Sequence, residues 1–512
     1  MSTSSERGVC WLVGAGPGNL GLVTVRAREC VEQADVILYD YLSNAQILRW
    51  AREDAEIIYV GKKAGDHTLK QHEINALLVE RTQAGQKVLR LKGGDPMIFG
   101  RGGEEADELR QAGVDFEIVP GISSTIGGPA FAGIPVTHRD FNSELTIFTG
   151  HEDPDKAETS LDYDRLANAK GTKVFLMGVS RMRQITNKLI EHGADPETPM
   201  ALVRWATTPK QETLMGTLGT IADLVEKTGF KAPAVAVIGD VVTMREKINW
   251  FDNRPLFGKR IVVTRTRQQA GELSRQLEVL GADAYELPTI RIEGAPNLEE
   301  FGHLVLDAHK YDWIIFTSPN GVERFFDMFY KIFDDARSIG GARFAAVGPG
   351  TAKRLKDFHL KTDLLPERHV AEGLVEEFGN KDKHGDLENL TVLWVRGEDA
   401  RPVVSEGLSK MGAIVDEAIA YHTVPETKDI CGGQERLREE GADVITFTSS
   451  STVENFFALG IPVPEGCLIA SIGPITSETV RKHGHKVDIE ATDSSISGLV
   501  AAIEEYYAGQ SA

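Results

Sequence analysis

The sequence predicts an α/β protein made of two successive two-lobed halves. Three observations carry this. Apolar strand-like runs alternate with helix-length segments from residue 9 to about 245. The alternation stops at "NWFDNRPLFGKR" (249–260), which has no apolar period and contains Pro and Gly, and a fresh strand "RIVVTR" starts at 260. The second half then repeats itself: "YDWIIFTSPNGVERFF" (311–326) aligns with "ADVITFTSSSTVENFF" (442–457), nine of sixteen positions matching at an offset of 131.

In chain order, "VCWLVGAGPG" (9–18) is a buried-type strand entering a glycine turn. "NLGLVTVRARECVEQ" (19–33) is helix-like and "DVILYD" (35–40) is a second strand, so the chain opens β-α-β. Further strands follow at "KVLRL" (87–91), "FEIVPG" (116–121), "LTIFTG" (145–150), "KVFLMG" (173–178), "MALVRW" (200–205) and "AVAVIGDVV" (234–242). Past the linker, "IVVTR" (261–265) matches "VLWVR" (392–396), and Gly281-Ala282 matches Gly412-Ala413, at the same offset of 131. "AAVGPGTAKRL" (345–355) matches "ASIGPITSETV" (470–480) at 125. A unit seen twice, roughly 130 residues apart, is a duplicated α/β lobe and not a solenoid. Its strands end in Thr-Ser or Gly-Pro, placing small polar groups where open α/β sheets bind ligands. Two such lobes facing one another make a cleft. The repeat alone would divide this half at about 390.

Composition narrows the function. The 512-residue chain carries a net charge of −20, which argues against non-specific binding to nucleic acid or to an anionic membrane. Cys10, Cys30, Cys431 and Cys467 stand far apart with no CxxC and no zinc spacing, so isolated reduced thiols and no metal site are expected. No run approaches the ~20 apolar residues of a membrane span, and the expected location is cytoplasmic.

Two glycine-rich stretches are the candidate sites. "VGAGPG" (13–18) holds G-x-G at 14–16, but Asn19 stands where a dinucleotide loop has its third glycine, and Pro17 stiffens the turn. A nucleotide loop and a tight turn both stay open; Asp40 would be the ribose acid of the first. "KVLRLKGGDP" (87–96) is a strand ending in a glycine pair that lets a ligand approach the backbone. Asp95 follows at once and disfavours phosphate. A hydroxyl, amine or sulfonium suits that carboxylate better. "FGRGGEE" (99–105) then opens a helix, with Glu104 and Glu105 expected as solvated first-turn charges.

Together "VGAGPGNLGLVT", "VGKKAGDHTLKQHEIN" (60–75), "RLKGGDPMIFGRGGEE" (90–105), "VPGISSTIGGPAFAGIPVTHRD" (119–140), "FLMGV" (175–179) and "PAVAVIGDVV" (233–242) resemble uroporphyrinogen-III C-methyltransferase over nearly all of residues 9–250. The resemblance implies a two-lobed tetrapyrrole methylase fold with S-adenosylmethionine between the lobes, and a homodimer. It places cofactor contacts at Pro17, Gly93, Gly94, Asp95, Ile98, Ser123, Ser124, Met177 and Ala206. The family often has Thr-Ala at 123–124, glycine at 206 and Asp at 19. It implies Asp40 as base and Lys62 as proton donor. The substrate carries eight carboxylates. Residues 60–101 supply eight cations (Lys62, Lys63, Lys70, Arg81, Lys87, Arg90, Lys92, Arg101) against four acids, a local field of +4. Arg101 is read either as a carboxylate contact or as an ion pair with a first-turn glutamate.

The duplicated half resembles uroporphyrinogen-III synthase over about 259–505, through the repeated stretches above, "VLWVRGEDAR" and "AIAYHTV". This implies two α/β lobes, about 258–292 plus 425–505 and about 295–418, with 251–257 as linker. Tyr421 matches the family's functional tyrosine, placed to hydrogen-bond or protonate a leaving hydroxyl. Ser449 and Thr476 would offer donors to substrate carboxylates, or cap their own turns. One enzyme would then make what the other methylates, turning hydroxymethylbilane into uroporphyrinogen III and then precorrin-2. Two other readings stay open: a methyltransferase carrying a silent tetrapyrrole-binding scaffold, and a nucleotide-dependent oxidoreductase fused to a ligand-binding module.

Overall fold

The computed structural model describes residues 8–61, 69–151, 161–264, 267–426, 429 and 432–510. The chain opens with β1 (Val9–Gly14), α1 (Val25–Gln33), β2 (Val36–Tyr39), β3 (Glu56–Tyr59), α2 (Gln71–Gln83), β4 (Lys87–Lys92), α3 (Gly102–Gln111) and β5 (Phe116–Val119). These strands form one wholly parallel sheet in the order β3-β2-β4-β1-β5. Parallel sheets are covered on both faces, which explains the unbroken apolar runs. Trp11, Val13, Leu89 and Leu91 pack under α1, while Cys10, Leu12, Val88 and Leu38 pack under α2 and α3.

After α4 (Ser124–Phe131) comes a mixed sheet of β6 (Leu145–Thr149), β7 (Thr172–Leu176), β8 (Pro199–Arg204), β9 (Glu212–Thr217) and β10 (Ala234–Ile238), ordered β6-β7-β10-β8-β9. β10 runs antiparallel to both neighbours. The carboxyl ends of β7 and β8 therefore share one edge of the sheet. The sequence reading missed β3 and β9. Both are partly exposed edge strands, without the apolar run that marks an interior one.

The second half forms two more sheets. β11 (Arg260–Val263) and β12 (Asp283–Glu286) join β18 (Val444–Phe447), β19 (Leu468–Ser471) and β20 (Ile489–Glu490) in a parallel sheet. β13 (Ile290–Gly294), β14 (Trp313–Phe316), β15 (Arg343–Ala346), β16 (Thr391–Gly397) and β17 (Ile414–Pro425) form the other, ordered β13-β17-β16-β14-β15. Contacts divide the chain into two compact units, 1–287 with 428–512, and 288–427. β13 pairs antiparallel with β17 along Ile290–Gly294. That ladder keeps both strands in one unit.

The expected linker is not a loose tether. Phe251 and Leu256 are buried. Phe251 packs edge-on against Phe131 at 4.8 Å, and Leu256 enters the core around Ile261, Leu273 and Leu277. Trp250 Nε1 donates to Ala130 O at the end of α4 (3.0 Å), and Arg254 donates to Glu278 O (3.2 Å). Residues 249–257 thus clamp the methylase-like half to the β11–β12 lobe within one unit.

Candidate functional site

Four of the loops that leave the carboxyl edge of the first sheet follow β1, β2, β4 and β5. The first and third are tied to each other. Gly16 N donates to Gly94 O (3.1 Å) and Gly94 N to Gly16 O (2.7 Å). Gly94 has φ +69°, the left-handed region that favours glycine. A Cβ on Gly93 would stand 2.6 Å from Leu42 Cβ, so the β2 and β4 loops approach more closely than any side chain allows. Asp95 fastens the fourth loop: Oδ2 accepts from Gly121 N (3.0 Å) and Oδ1 from Met97 N (2.8 Å). Asp95 was expected as a cofactor contact; in the fold it ties the loop after β4 to the loop after β5. Asp95→Ala frees both donors and is expected to weaken methyl-donor binding by about tenfold or more, since hydrogen bonds to charged groups contribute ~1.5–3 kcal/mol. Titration calorimetry checks it, and unchanged affinity contradicts this placement.

The second sheet completes the site. Asn19 N donates to Thr207 Oγ1 (3.2 Å), and the Tyr41 ring meets Trp205 edge-on at 5.7 Å. α4 lies between: a Cβ on Gly127 would stand 2.9 Å from Pro17 Cγ, and one on Gly128 3.0 Å from Ala206 Cβ. Ser123 caps α4, its Oγ accepting from Thr125 N (3.3 Å), and Ser124 is the first residue of the helix. Met177 follows β7, and Trp205 and Ala206 follow β8, at the same sheet edge. Pro17, Gly93, Gly94, Asp95, Ser123, Ser124 and Ala206 are therefore brought together. Ile98 stands exposed in the Asp95 loop, among apolar neighbours Leu42, Met97, Phe99, Ile122 and Ile126 that are 36–53% exposed.

Sequence could not show where the backbone is strained. Among the described residues seven non-glycine positions have positive φ, and Phe99, Arg101, Met177, Trp205 and Thr207 are five of them. Each costs about 1–3 kcal/mol, and such strain gathers at ligand sites.

Asp40 opens the loop after β2. Its Oδ1 accepts from Leu42 N (3.2 Å) and Ser43 Oγ (3.3 Å), and its Oδ2 from Arg90 (3.1 Å). The carboxylate stays 26% exposed while Arg90 is 5% exposed. Lys62 lies outside the described residues. Arg101 pairs with exposed Glu104 at 2.6 Å, which holds Glu104 below the usual carboxylate range and raises Arg101. The ion-pair reading of Arg101 is the one seen. Glu105, expected in solvent, is fully buried. Lys92 Nζ donates to it at 2.7 Å. Burial, then Arg90, pulls Lys92 below the usual lysine range, with Glu105 opposing. The local field of +4 is correspondingly reduced: Arg90 and Lys92 are buried against acids, and Arg81 pairs with Glu56.

In unit 288–427, the Tyr421 hydroxyl lies 2.9 Å from Ser318 Oγ, and Ser318 caps the helix Pro319–Ile332 by accepting from Gly321 N (3.0 Å). Burial raises Tyr421 above the usual phenol range while the Ser318 hydrogen bond lowers it, so it is a neutral phenol at pH 7. In the other unit, Ser449 caps the helix Ser450–Ala458, accepting from Thr452 N (3.3 Å), and Thr476 sits in the first turn of the helix Pro474–Lys482. Ser449 thus fills the capping role. Ser318 and Thr351 are the repeat partners of Ser449 and Thr476; extending the alignment one step would have found them. Each unit presents two helix N-termini just past parallel strands, a setting that favours carboxylates.

Comparison with known proteins resolves the family. Residues 9–222 match the model of tetrapyrrole (corrin/porphyrin) methylases and residues 271–501 that of uroporphyrinogen-III synthase HemD. "Porphyrin biosynthesis protein HemD" of Ruminiclostridium josui is 37% identical over 509 residues, covering 98% of this chain and 99% of that protein. The chain belongs to the fused tetrapyrrole methylase–uroporphyrinogen-III synthase family. It is a bifunctional enzyme of tetrapyrrole biosynthesis. The methylase half is also 49% identical over 243 residues to "S-adenosyl-L-methionine-dependent uroporphyrinogen III methyltransferase" of Methanosarcina barkeri, covering 48% of this chain and 95% of that protein. A solved uroporphyrin-III C-methyltransferase from Thermus thermophilus, complexed with S-adenyl homocysteine, is 38% identical with a TM-score of 0.41, covering 46% of this chain and 99% of that one.

Within the fusion enzyme the oxidoreductase reading falls on geometry as well. A dinucleotide loop keeps its amides for pyrophosphate at the start of a helix. Here Gly16 spends its amide on Gly94, and α1 begins only at Val25, capped by Thr24. Asn19 in place of the usual Asp keeps an acceptor: its Oδ1 takes Gly21 N at 2.8 Å.

Proposed function

We propose that the methylase half transfers two methyl groups from S-adenosylmethionine to C2 and C7 of uroporphyrinogen III, giving precorrin-2 for sirohaem or cobalamin synthesis. The synthase half supplies that substrate by closing hydroxymethylbilane with loss of water and inversion of ring D. The observation that carries the first assignment is the locked Gly16–Gly94 bridge with Asp95 at its rim, beside Asp40 and a ring of exposed apolar side chains. Carboxylates beside glycine amides that already bond each other suit a nucleoside with a positive sulfonium better than a phosphate. S-adenosylmethionine supplies an activated methyl group when bound. Gly93, Gly94 and Asp95 would hold it, with Pro17, Ile98, Ser123, Ser124, Met177 and Ala206 around it. Holding it in line with a pyrrole carbon is the chief contribution expected of the site.

Asp40 meets Arg90 through Oδ2 and Leu42 N and Ser43 Oγ through Oδ1, yet stays 26% exposed, so it can take the proton that the methylated ring sheds. Lys62 completes the reading as donor. Arg101 meets a substrate carboxylate only by leaving Glu104. Incubating the enzyme with uroporphyrinogen III and S-adenosylmethionine should add two methyl groups by mass spectrometry; no mass gain contradicts the assignment.

In the synthase half, neutral Tyr421 hydrogen-bonds or protonates the leaving hydroxyl, and Ser449 and Thr476 receive carboxylates at their helix starts. Tyr421→Phe removes the one proton this reading needs and leaves Ser318 as a helix cap. Cyclisation to isomer III is expected to slow by about 10–10²-fold, against a typical 10²–10⁴ for general acids, because hydrogen bonding is shared with water. An unchanged rate by isomer-resolved chromatography removes Tyr421 from the mechanism. The reading includes a homodimer formed through the methylase half, a cytoplasmic location, no bound metal, and neither nucleic acid nor membrane as partner. No helix among the described residues is long and apolar enough to cross a membrane.

A further inference from the structure

Beneath the carboxyl edge of the first sheet, buried Arg90, Lys92 and Glu105 form a chain of charges that ends on Asp40 of the β2 loop. β4 sends Arg90 and Lys92 to one face, two residues apart as strand geometry requires. Both face the first turn of α3, where Glu105 is 0% exposed. Glu105 Oε1 accepts from Lys92 Nζ (2.7 Å) and from Gln71 Nε2 of α2 (2.9 Å), and lies 3.5 Å from Arg90 Nε. Arg90 reaches on to Asp40 Oδ2 (3.1 Å) and to Leu91 O (3.0 Å). Two carboxylates therefore meet two cations, and the sum is neutral. The other Glu105 oxygen has no hydrogen-bond partner and is buried. A carboxylate kept charged there is expensive unless its cations need it.

We propose that Glu105 is a positioning residue for the methyl-transfer reaction: it holds Arg90 and Lys92 neutralised, so that Asp40 at the other end of the chain of charges keeps the orientation and proton affinity its task needs. This rests on the reading of Asp40 as the proton acceptor. Arg90 is shared between the two carboxylates. When Glu105 loses its charge, two buried cations face Asp40 alone. Its carboxylate is then held more tightly, its proton is lost at lower pH, and it becomes a weaker base. When Lys92 loses its charge, the balance tips the other way. The groups facing the pair among the described residues are Arg90 and Lys92 from β4, Gln71 and Asn75 from α2, Ser43 from the β2 loop, Cys10 from β1, and Arg101 with Glu104 at the start of α3. Cys10 is pushed up to about 12, by burial first and then by Glu105, so it stays a neutral thiol beside the quartet.

The test is the pH dependence of kcat for methylation, measured with S-adenosylmethionine affinity alongside. Glu105→Gln should move the acidic limb down by about one pH unit, because the charge of Arg90 is then no longer shared with a second carboxylate, and lower kcat about tenfold with cofactor affinity unchanged. Lys92→Met should move the limb up. Glu105→Gln with Lys92→Met restores neutrality and should return the limb to within a few tenths of the parent; it also serves if either single variant fails to fold. A purely structural role lowers thermal stability in the single variants and leaves all limbs in place, and that result overturns the proposal. Asp40→Asn separates the two levels. Wild-type methylation by Asp40→Asn removes the reading beneath the proposal. Strong loss in Asp40→Asn, with an unmoved limb in the Glu105 and Lys92 variants, removes the proposal alone.

Discussion

Asp40→Asn is expected to slow methylation of uroporphyrinogen III by about 10²–10⁴-fold, the usual contribution of a general base, while S-adenosylmethionine binds as before. The separation follows from where the side chain sits. Asp40 belongs to the β2 loop, and the hydrogen bonds that Gly16, Gly94 and Asp95 make between the other loops do not depend on its charge. Asparagine keeps an oxygen for Leu42 N and Ser43 Oγ. Arg90 loses one carboxylate but retains Leu91 O and Glu105 nearby. The loop should therefore hold its shape, with a stability loss of about 1–3 kcal/mol, the usual cost of removing one charged hydrogen-bond partner. Single-turnover rates and calorimetry on the same preparation check both halves of the statement. A rate within twofold of wild type would end the role of Asp40 in proton transfer.

Arg49→Ala is expected to cost about 3–5 kcal/mol, the loss seen when one partner of a buried ion pair is removed. Arg49 lies on the short turn Ala45–Trp50 of the methylase half, and its guanidinium meets Glu286 Oε1 of β12 at 2.5 Å. Glu286 is 2% exposed and has only Ser274 Oγ (3.2 Å) as a further partner on that oxygen; its other oxygen is buried without one. Nearby Glu278 is pushed up to about 7, chiefly by burial. This corner cannot absorb another unpaired carboxylate. With whole domains stable by roughly 5–15 kcal/mol, the loss should show as a large drop in the denaturation midpoint. Arg49→Ala with Glu286→Ala should recover most of it, because no charge is then stranded. A midpoint unchanged by Arg49→Ala would mean that the pair does not join the halves energetically.

The residues that announced themselves in the sequence did so through backbone demands. Gly93-Gly94-Asp95 and Gly16 are legible because only glycine permits the close approach and positive φ found there. The duplicated Thr-Ser strand ends were legible because the repeat preserved them. Glu105 was not: a glutamate in a first helical turn reads as solvated, and the cations that bury it come from β4, on a different element. The clue was available in "VLRLK", where two cations alternate with leucines on a buried parallel strand and so require an anion opposite. Edge strands β3, β9 and β13 lacked apolar runs, and β13 fell between the expected lobes because its place in a sheet is set by antiparallel pairing with β17, far along the chain. The linker looked loose because its buried anchors, Phe251 and Leu256, have no period.

The most direct test of one chain performing both steps is to supply hydroxymethylbilane with and without S-adenosylmethionine and to resolve the products by isomer and mass. Uroporphyrinogen III without the methyl donor, and a dimethylated precorrin-2 with it, is the predicted result. Formation of uroporphyrinogen I alone, as in the absence of enzyme, would contradict it.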